Sequence, residues 1–211
     1  MTDASDPVAT RRVQQFYEAS AAEYDGWIAY YVRWMKLAEA TRALLARANG
    51  DVLEIAVGTG RNFASYPAGV RLTGIDLSPA MLALAAERAK EIGLAADLRV
   101  GNAHALEFPD DCFDTAVVTL ALSTIPDCRR AAAELHRVLK PGGALLVLDH
   151  VRSPIGPVRL IERAIDPVLQ RRWAFSLLRD PLDYLEPLGF RIEQCERSRL
   201  GVLETLVARK R

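Results

Sequence analysis

The stretch "VLEIAVGTG", Val52–Gly60, joins an apolar run to a turn that contains two glycines. A short apolar run that begins at Asp51 predicts a strand of a parallel sheet, because strands covered on both faces show no polar alternation. Gly58 and Gly60 let the backbone approach a ligand that side chains would obstruct. Ligands of open parallel sheets bind beyond the carboxyl ends of the strands, so this turn is the first candidate site.

Strand and helix segments alternate after this turn. Ser78-Pro79 predicts the start of one helix, and Asp127 is a candidate cap for another. The alternation predicts a parallel sheet with helices on both faces. The predicted strands are 51–57, 71–76, 97–103, 113–122 and 144–151, the last preceded by a "KPGG" turn, and the predicted helices are 35–48, 79–92 and 128–139.

The carboxyl-terminal part has a different pattern. "FRIEQCER" and "LETLVARK" are strand-like and are separated by a few residues around Gly201. So short a link cannot make a parallel crossover, which predicts an antiparallel hairpin at one edge of the sheet. The whole sequence therefore predicts an α/β fold with a seven-stranded, mostly parallel sheet.

We expect one domain over residues 1–211, without an independent linker. Its predicted parts are a helical cap (1–48), a core (49–151), a second helical cap (152–189) that prolines interrupt, and the hairpin (190–211).

Composition narrows the functional classes. Lys plus Arg and Asp plus Glu both number 27, which argues against a general attraction to nucleic acid or to anionic membranes. The three cysteines are scattered and lack metal-ligand spacing, which is typical of free thiols in a cytoplasmic protein. The start "MTDASDPVAT" lacks a signal-peptide layout, and no apolar run approaches the roughly 18 residues of a membrane span. We expect a cytoplasmic protein without a metal site.

Polar residues at the ends of neighbouring strands suggest a nucleoside-containing cofactor. Asp76 ends the second strand and can accept both hydroxyls of a ribose, and Asn102 follows the third strand. The third glycine of a dinucleotide fingerprint is missing, since Arg61 or Phe63 takes its place, and no P-loop follows. Glu54, just before the turn, would face an amino group. S-adenosylmethionine has the amino group, ribose and adenine that Glu54, Asp76 and Asn102 could address.

Four motifs in order carry a family resemblance. "VLEIAVGTGRN", "LTGIDLSPAMLALA", "GNAHALEFPDDCFDTAVVTLALSTIPD" and "ELHRVLKPGGALLVLDHV" resemble class I S-adenosylmethionine-dependent methyltransferases, over about residues 50–151. The resemblance implies a Rossmann-like fold, and the final hairpin fits the antiparallel edge of that family.

The resemblance also implies roles for individual residues. Glu54 would hold the methionine amino group, Asp76 the ribose, and Leu77 would pack on adenine. Asn102 and the Ala103 amide would bind adenine, Leu120 would border the reactive methyl group, and Tyr24 of "YDGW" would close over the cofactor. The complete set of predicted cofactor-binding residues is Tyr24, Glu54, Ala56, Gly58, Gly60, Asp76, Leu77, Met81, Asn102, Ala103 and Leu120.

Three positions depart from the family pattern. Ala56 stands where the family most often has its first glycine, Val57 replaces a small residue or cysteine, and Asn102 replaces a frequent aspartate. None removes an essential function, so we expect the cofactor to bind.

The catalytic residue is harder to predict, because an activated methyl group mainly needs in-line positioning and exclusion of water. His150, at the end of the fifth strand, is the candidate general base, although a structural role for it is favoured. His104 is expected in a loop. Tyr17, Tyr30 and Tyr31 are candidates for the substrate pocket, with a core role favoured.

Segment 152–179 has six arginines against two acids, interleaved with apolar residues. Contact with anionic lipid is one interpretation, and an ordinary solvated helix face, broken by Pro167, is favoured over it.

The sequence "LVLDHVRSP" with the following "DPVLQRRW" resembles the small-molecule branch of the family, which includes quinone C-, phospholipid N- and thiol S-methyltransferases. The predicted function is methyl transfer to a small acceptor, without a nucleic-acid partner and with the oligomeric state open. The alternative is a non-catalytic regulatory protein that binds S-adenosylmethionine.

Overall fold

One seven-stranded sheet organises the chain. The computed structural model describes residues 7–211, so the first six residues of the expected amino-terminal cap lie outside the described residues. The strand order is β3-β2-β1-β4-β5-β7-β6, with β1–β5 parallel and β7 antiparallel to β5 and β6. The strands are β1 (Asp51–Ile55), β2 (Arg71–Asp76), β3 (Ala96–Val100), β4 (Phe113–Thr119), β5 (Leu139–His150), β6 (Phe190–Ser198) and β7 (Leu203–Lys210).

Helices cover both faces of this sheet. They are α1 (Pro7–Trp34), α2 (Leu37–Leu45), α3 (Pro79–Glu91), α4 (Cys128–Val138), α5 (Gly156–Trp173) and the short α6 (Leu182–Leu185), with a 3-10 turn at Phe63–Ser65. The predicted fold class and the antiparallel hairpin are confirmed. Within residues 7–211, no helix is long and apolar enough to cross a membrane.

Alternate residues of β1 face two separate cores. Leu53 and Ile55 belong to the core that α4 and α6 cover, whereas Val52 belongs to the core under α2 and α3. All three side chains are fully buried, and each such side chain contributes about 1.5–3 kcal/mol by leaving water. The continuous apolar run follows from this covering of both faces.

Both predicted helix starts are confirmed. Ser78 Oγ accepts a hydrogen bond from Met81 N at 3.2 Å, and Pro79 occupies the first turn of α3. Asp127 accepts from Arg130 N at 2.9 Å at the start of α4. Each cap contributes about 1 kcal/mol to its helix.

Two local predictions differ from the structure. The "KPGG" segment lies inside β5 as an irregularity in its pairing with β4, rather than as a turn before the strand. Pro167 lies within α5, which continues to Trp173 without a break. The proline leaves the carbonyl of Arg163 without its helical partner, and Arg163 is exposed, so water can take that place.

The strand order reverses between β1 and β4. Connections from β1 lead to one side of the sheet and those from β4 to the other, which opens a crevice beyond the carboxyl ends of these strands. The turn after β1 therefore lies at the place where such folds bind ligands.

Candidate active site

A cleft at this crevice brings most of the predicted cofactor residues together. Nine of the eleven line it, and the two that do not are Glu54 and Gly60. Within residues 7–211, Asp76 is the one carboxylate on its wall, and no Lys or Arg lines it. The nine are Tyr24, Ala56, Gly58, Asp76, Leu77, Met81, Asn102, Ala103 and Leu120. We call this the main cleft.

A second opening, the side cleft, adjoins the main cleft. Five residues line both and so form the boundary between them, namely Tyr24, Ala56, Gly58, Thr119 and Leu120. The side cleft also exposes Asn62, Arg61 and Arg42, which give it polar and cationic groups that the main cleft lacks.

Asp76 is held rigidly at the end of β2. Its Oδ2 accepts from Gly58 N and its Oδ1 from Ser78 N, both at 2.9 Å. Burial raises the pKa of this carboxyl, and the backbone donors partly offset that effect. A carboxylate offers about four acceptor positions, so each oxygen keeps one for a ligand hydroxyl. This arrangement suits the two hydroxyls of a ribose.

Two non-glycine residues of the cleft wall have left-handed backbones. Ala56 has φ +51° and Leu120 has φ +52°, and both border the two clefts. A left-handed conformation costs an alanine about 1–2 kcal/mol more than a glycine. Such strain is concentrated at functional sites in many proteins. The first glycine of the family pattern is thus absent at a position whose backbone favours glycine.

Gly58 and Gly60 serve different purposes. Both have positive φ, at +56° and +73°. A Cβ on Gly58 would meet nothing within 4 Å, so this glycine leaves open space. A Cβ on Gly60 would lie 2.4 Å from the buried ring of Phe63, so this glycine permits packing inside the turn.

Glu54 lies behind the turn, not on the wall of the main cleft. It accepts hydrogen bonds from Asn62 Nδ2 and, at 2.8 Å, from Tyr66 Oη. Burial raises its pKa to about 7, although these two bonds act in the opposite direction. Asn62 Nδ2 also donates to Thr119 Oγ1 at 2.7 Å, so both amide hydrogens are used. The Asn62 oxygen remains as an acceptor beside the side cleft.

The loop after β3 is preorganised by its own contacts. Asn102 Oδ1 accepts from His104 N at 2.9 Å and keeps a second acceptor position. His104 lines the main cleft, and its Nε2 accepts from Asp127 N at 3.2 Å. Burial lowers the pKa of His104, which keeps it neutral. The expected loop position of His104 is confirmed, and its contact with the helix cap has no signal in the sequence.

Helix α1 attaches directly to the cofactor side. Thr59 Oγ1 donates to Asp25 at 2.7 Å, and Arg88 pairs with the same carboxylate. Gln14 Nε2 donates to the Leu77 carbonyl at 2.9 Å, and Ser78 Oγ donates to Glu18. These side chains link the helix to the glycine turn and to the start of α3.

Two tyrosines of α1 contribute to the cleft itself. Tyr17 and Tyr24 line it, with ring centroids 6.1 Å apart. Burial and the charge of Asp76 raise the pKa of Tyr24 to about 12. Both hydroxyls therefore stay protonated at neutral pH. Tyr30, which was also a candidate for the substrate pocket, is 75% exposed and lies outside both clefts.

His150 belongs to an aromatic cluster next to the rim, which consists of Tyr31, His150 and Phe175. Its ring packs against Tyr31 and Phe175, with centroids 5.5 and 5.0 Å away. Its Nε2 bonds Tyr31 Oη, whereas its buried Nδ1 has no hydrogen-bond partner. Burial lowers the pKa of His150, and the neighbouring Asp149 only partly offsets this. His150 lines neither the main cleft nor the side cleft.

The main cleft and the side cleft carry chemical groups that suit the parts of S-adenosylmethionine. These groups also lie in the order of those parts, from the base and ribose to the methionine end. The main cleft offers a buried carboxylate for a ribose and the apolar Leu77, Met81 and Ala103 for a base. The side cleft offers Arg42, and Arg61 beside its ion pair with Asp25, for a carboxylate, and the Asn62 oxygen for an ammonium. A polyphosphate would lack cationic partners in the main cleft. No group of three or more His, Cys, Asp or Glu in residues 7–211 is arranged to hold a metal ion.

Comparison with known proteins gives the same class. A family model described as a methyltransferase domain matches residues 53–147. A phosphatidylethanolamine N-methyltransferase of Cereibacter sphaeroides is 36% identical over 154 residues, which are 70% of this chain and 76% of that protein. A demethylmenaquinone methyltransferase of Thermus thermophilus is 34% identical over 135 residues, 63% of this chain and 60% of that one.

A solved structure supports the fold at lower identity. An S-adenosylmethionine-dependent methyltransferase from Thermotoga maritima, described as a possible histamine N-methyltransferase, aligns with a TM-score of 0.71 and 22% identity. The alignment covers 94% of this chain and 100% of that one. The fold and its crevice define a Rossmann-like protein with a nucleoside cofactor. The chain belongs to the class I S-adenosylmethionine-dependent methyltransferases, and it is an enzyme of the small-molecule type.

Proposed function

We propose that the acceptor is an amine carried by an apolar molecule, of the type of an ethanolamine phospholipid headgroup. The observation that carries this proposal is the chemistry of the aromatic cluster of Tyr31, His150 and Phe175. Tyr31 and Phe175 surround neutral His150, the buried carboxylate of Asp149 lies next to it, and no Lys or Arg in residues 7–211 bonds to these rings. Aromatic faces and a carboxylate stabilise a methylated ammonium ion.

A phenol, quinol or thiol acceptor needs the opposite electrostatic environment. Such an acceptor reacts as an anion, and a neighbouring cation or base would lower its pKa. The negative charge of Asp149 would instead raise the pKa of such an acceptor. The similarity to a phosphatidylethanolamine N-methyltransferase supports the amine, and the similarity to a demethylmenaquinone methyltransferase keeps the quinol as the second candidate.

Residues of both clefts would hold the cofactor. Asp76 would bind the ribose hydroxyls, and Leu77, Met81, Asn102 and Ala103 would surround the adenine. Glu54 would act on the methionine amino group through Asn62, whose orientation it fixes. When bound, S-adenosylmethionine supplies a methyl group that the positive sulfur makes electrophilic.

The remaining task of the chain is to orient the acceptor and keep water out. Tyr24 and α1 cover the boundary between the clefts, which excludes water from the reacting atoms. The amine must give up one proton to expose its lone pair. His150 stays our candidate for holding that proton, and in this geometry it would receive it through Tyr31 Oη.

Transfer of label to defined acceptors tests the proposal. The full chain is incubated with methyl-labelled S-adenosylmethionine and, in separate reactions, with phosphatidylethanolamine vesicles, a reduced demethylquinone in detergent, and a thiol panel. We expect label in the lipid amine, with monomethyl product first. Label in the quinone alone would refute the amine assignment, and tight cofactor binding without transfer to any acceptor would favour the non-catalytic alternative.

Variants of the aromatic cluster separate positioning from proton transfer. Tyr31→Phe removes the hydroxyl that bonds His150 and keeps the ring. We expect a lower kcat, a changed pH profile of kcat and an unchanged dissociation constant for S-adenosylmethionine. Ser20→Ala, which removes a hydroxyl of the same helix that bonds only the Phe16 carbonyl and lines neither cleft, serves as the matched control.

A further inference from the structure

Helix α5 faces the protein with its acids and faces solvent with its apolar side chains. Glu162 and Asp166 are 3% and 2% exposed, whereas Leu160, Ile161 and Val168 are 69%, 62% and 60% exposed. A surface helix of a globular protein ordinarily shows the reverse distribution. An exposed apolar patch of this kind marks an interaction surface.

The inward acids explain why the helix keeps this orientation. Glu162 accepts from Ser153 N at 3.0 and 3.2 Å and so fixes the loop before the helix. Asp166 accepts from Leu177 N at 2.7 Å and from Ser176 Oγ at 3.1 Å, and so fixes the loop after it. Rotating the apolar stripe inward would break both anchors. The exposure is therefore built into the fold.

The exposed apolar residues form a continuous stripe. Ile161, Ile165 and Val168 have the i, i+4, i+7 spacing that places side chains on one side of a helix. Leu160 lies beside this stripe, and Trp173 is 44% exposed at the end of the helix. The stripe runs for about two turns of α5.

Four arginines accompany the stripe without an ion-pair partner. Within residues 7–211, the guanidinium groups of Arg159, Arg163, Arg171 and Arg172 form no salt bridge. The two acids of α5 are occupied inside the protein and cannot neutralise them. Arg152, just before the helix, differs because it pairs with Asp180 and Asp183. Arg171 and Arg172 lie on the exposed side at the end of the stripe, Arg163 is exposed at its flank, and the half-buried Arg159 lies nearer the inward acids. The exposed face therefore combines apolar surface with the uncompensated positive charge of three arginines.

Helix α1 adds exposed aromatic residues. Trp27, Tyr30 and Trp34 are 44%, 75% and 68% exposed and follow i, i+3, i+7 spacing. The amino-terminal half of α1 is tied to the end of α5, because Arg12 donates to the Arg171 carbonyl. Tryptophan and tyrosine are the residues that settle at the boundary between lipid and water.

The carboxyl end of α1 is tied to the start of α5 through the β6–β7 turn. Arg199 donates to the Met35 carbonyl at 3.1 Å, and Ser153 Oγ donates to the Leu200 carbonyl at 2.6 Å. Leu200 is itself 68% exposed. The two helices are thus connected at both ends, and His150 contacts both Tyr31 of α1 and Phe175, which follows α5.

We propose that the exposed face of α5, with Arg163, Arg171 and Arg172, docks this enzyme on the surface of an anionic phospholipid bilayer. The arginines attract the lipid headgroups, and the apolar stripe enters the boundary between headgroups and acyl chains. A neutral net charge does not oppose this, because electrostatic attraction falls off within about 8 Å at physiological salt and so depends on the charge of the local face.

A second copy of the chain is a poorer occupant of this face. A two-fold contact through α5 would bring the same three arginines of each copy towards one another, and like charges repel. An anionic surface removes that conflict. Docking there does not depend on which acceptor receives the methyl group, so it goes beyond the proposed function.

Vesicle sedimentation tests the docking without any methyl transfer. The full chain is mixed with phosphatidylcholine vesicles, with or without phosphatidylglycerol. We expect binding to the anionic vesicles, weak binding to the neutral ones, and a decrease in binding as salt increases. The variant Arg163→Glu/Arg172→Glu should bind at least tenfold more weakly, and Ile161→Ser/Val168→Ser should also lose at least tenfold.

Matched control variants change the same residue types elsewhere. Arg47→Glu/Lys90→Glu reverses two exposed charges near the starts of β1 and β3, and Ile92→Ser/Val100→Ser removes two exposed apolar side chains. Both should bind like the unchanged protein. Thermal melting confirms that all four variants are folded, which is expected because every changed side chain is on the surface.

Three results would overturn the proposal. One is equal binding of the unchanged protein to neutral and anionic vesicles, and another is equal weakening by the control variants. The third is a dimer in sedimentation velocity that the α5 variants convert to a monomer, since this would assign the face to a second copy. The cofactor dissociation constant, measured on the same samples, shows separately whether the enzyme site is intact.

Discussion

Helices α1 and α5 both flank the rim of the sheet, but they are attached to it in opposite ways. From α1, Gln14, Glu18 and Asp25 reach the core and bind the glycine turn and the start of α3. From α5, Glu162 and Asp166 hold only the loops that flank the helix, and the apolar side chains point outward. The first helix helps to form the two clefts, whereas the second presents a surface.

Because the two helices are attached differently, cofactor retention and contact with a lipid surface should be separable properties. Cofactor retention should depend on α1, because its contacts from Gln14 and Asp25 end at Leu77 and Thr59, which line the clefts. Contact with a lipid surface should depend on α5 and on the exposed Trp27, Tyr30 and Trp34 of α1, which take no part in those polar contacts. Variants on the cofactor side should therefore change affinity for S-adenosylmethionine and leave vesicle binding unchanged, and α5 variants should do the reverse.

The largest effect should come from Asp76→Ala. Removing a carboxylate that binds two hydroxyls forfeits about 3 kcal/mol, which corresponds to a loss of about 100-fold in affinity for S-adenosylmethionine. Isothermal titration calorimetry measures it, and Asp97→Ala, an exposed aspartate on the neighbouring strand, is the control. An unchanged dissociation constant would show that Asp76 does not bind the ribose.

A smaller effect is expected for Asp25→Ala. This change releases Thr59 and Arg88 from α1, and we expect cofactor affinity to fall about tenfold, mainly through faster dissociation. Stopped-flow displacement measures the rate. Glu23→Ala changes an exposed acid of the same helix and should have no effect. Weaker vesicle binding by Asp25→Ala would contradict the separation of the two helices.

Glu54 predicts a pH dependence. Its raised pKa of about 7 means that the folded protein retains a proton that the unfolded chain loses near 4.5. Its contribution to the free energy of unfolding therefore falls as pH rises through that window. A bound ammonium favours the ionised form, so cofactor affinity should rise severalfold over the upper part of the same window, with proton release.

Calorimetry at pH 6.5 in two buffers of different ionisation enthalpy counts the released protons. Glu54→Gln should abolish both the release and the rise in affinity. Persistence of both in the variant would assign the proton to another group.

The smallest effect should come from Ala56→Gly. The residue has a left-handed backbone, so glycine removes about 1 kcal/mol of strain, partly offset by the greater freedom of the unfolded chain. We expect a slightly higher melting temperature and equal or slightly tighter cofactor binding. A marked loss of affinity would mean that the alanine methyl group itself contacts the cofactor.

The local elements were predictable because their signals are local. The strand 71–76, the caps at Ser78 and Asp127, and the carboxyl-terminal hairpin all follow from neighbouring residues. Pro167 shows the limit, since a proline that ordinarily ends a helix lies inside α5. The contacts of Asp166 with residues after the helix hold it in place, and no pattern within the helix reveals them.

The candidate site likewise has some features that the sequence predicts and others that it does not. Asp76, Leu77 and Asn102 could be placed on the cleft because the ends of parallel strands meet at one rim. The position of Glu54 behind Asn62 and Tyr66 could not, because it depends on how the 3-10 turn folds back onto β1. The contact of His150 with Tyr31 joins residues 119 positions apart, and sequence spacing carries no record of it.

The sequence by itself determined the class of fold, the cofactor and the rim that binds it, since periodicity, turn glycines and strand-end carboxylates act over short distances. Only the tertiary structure determined which side of each helical cap faces the protein and which faces solvent. Segment 152–179 has the same arginines and apolar residues in either orientation, and the inward anchors of Glu162 and Asp166 select which of them face solvent. Composition states which residues a helix contains, whereas its long-range contacts determine which of them face solvent.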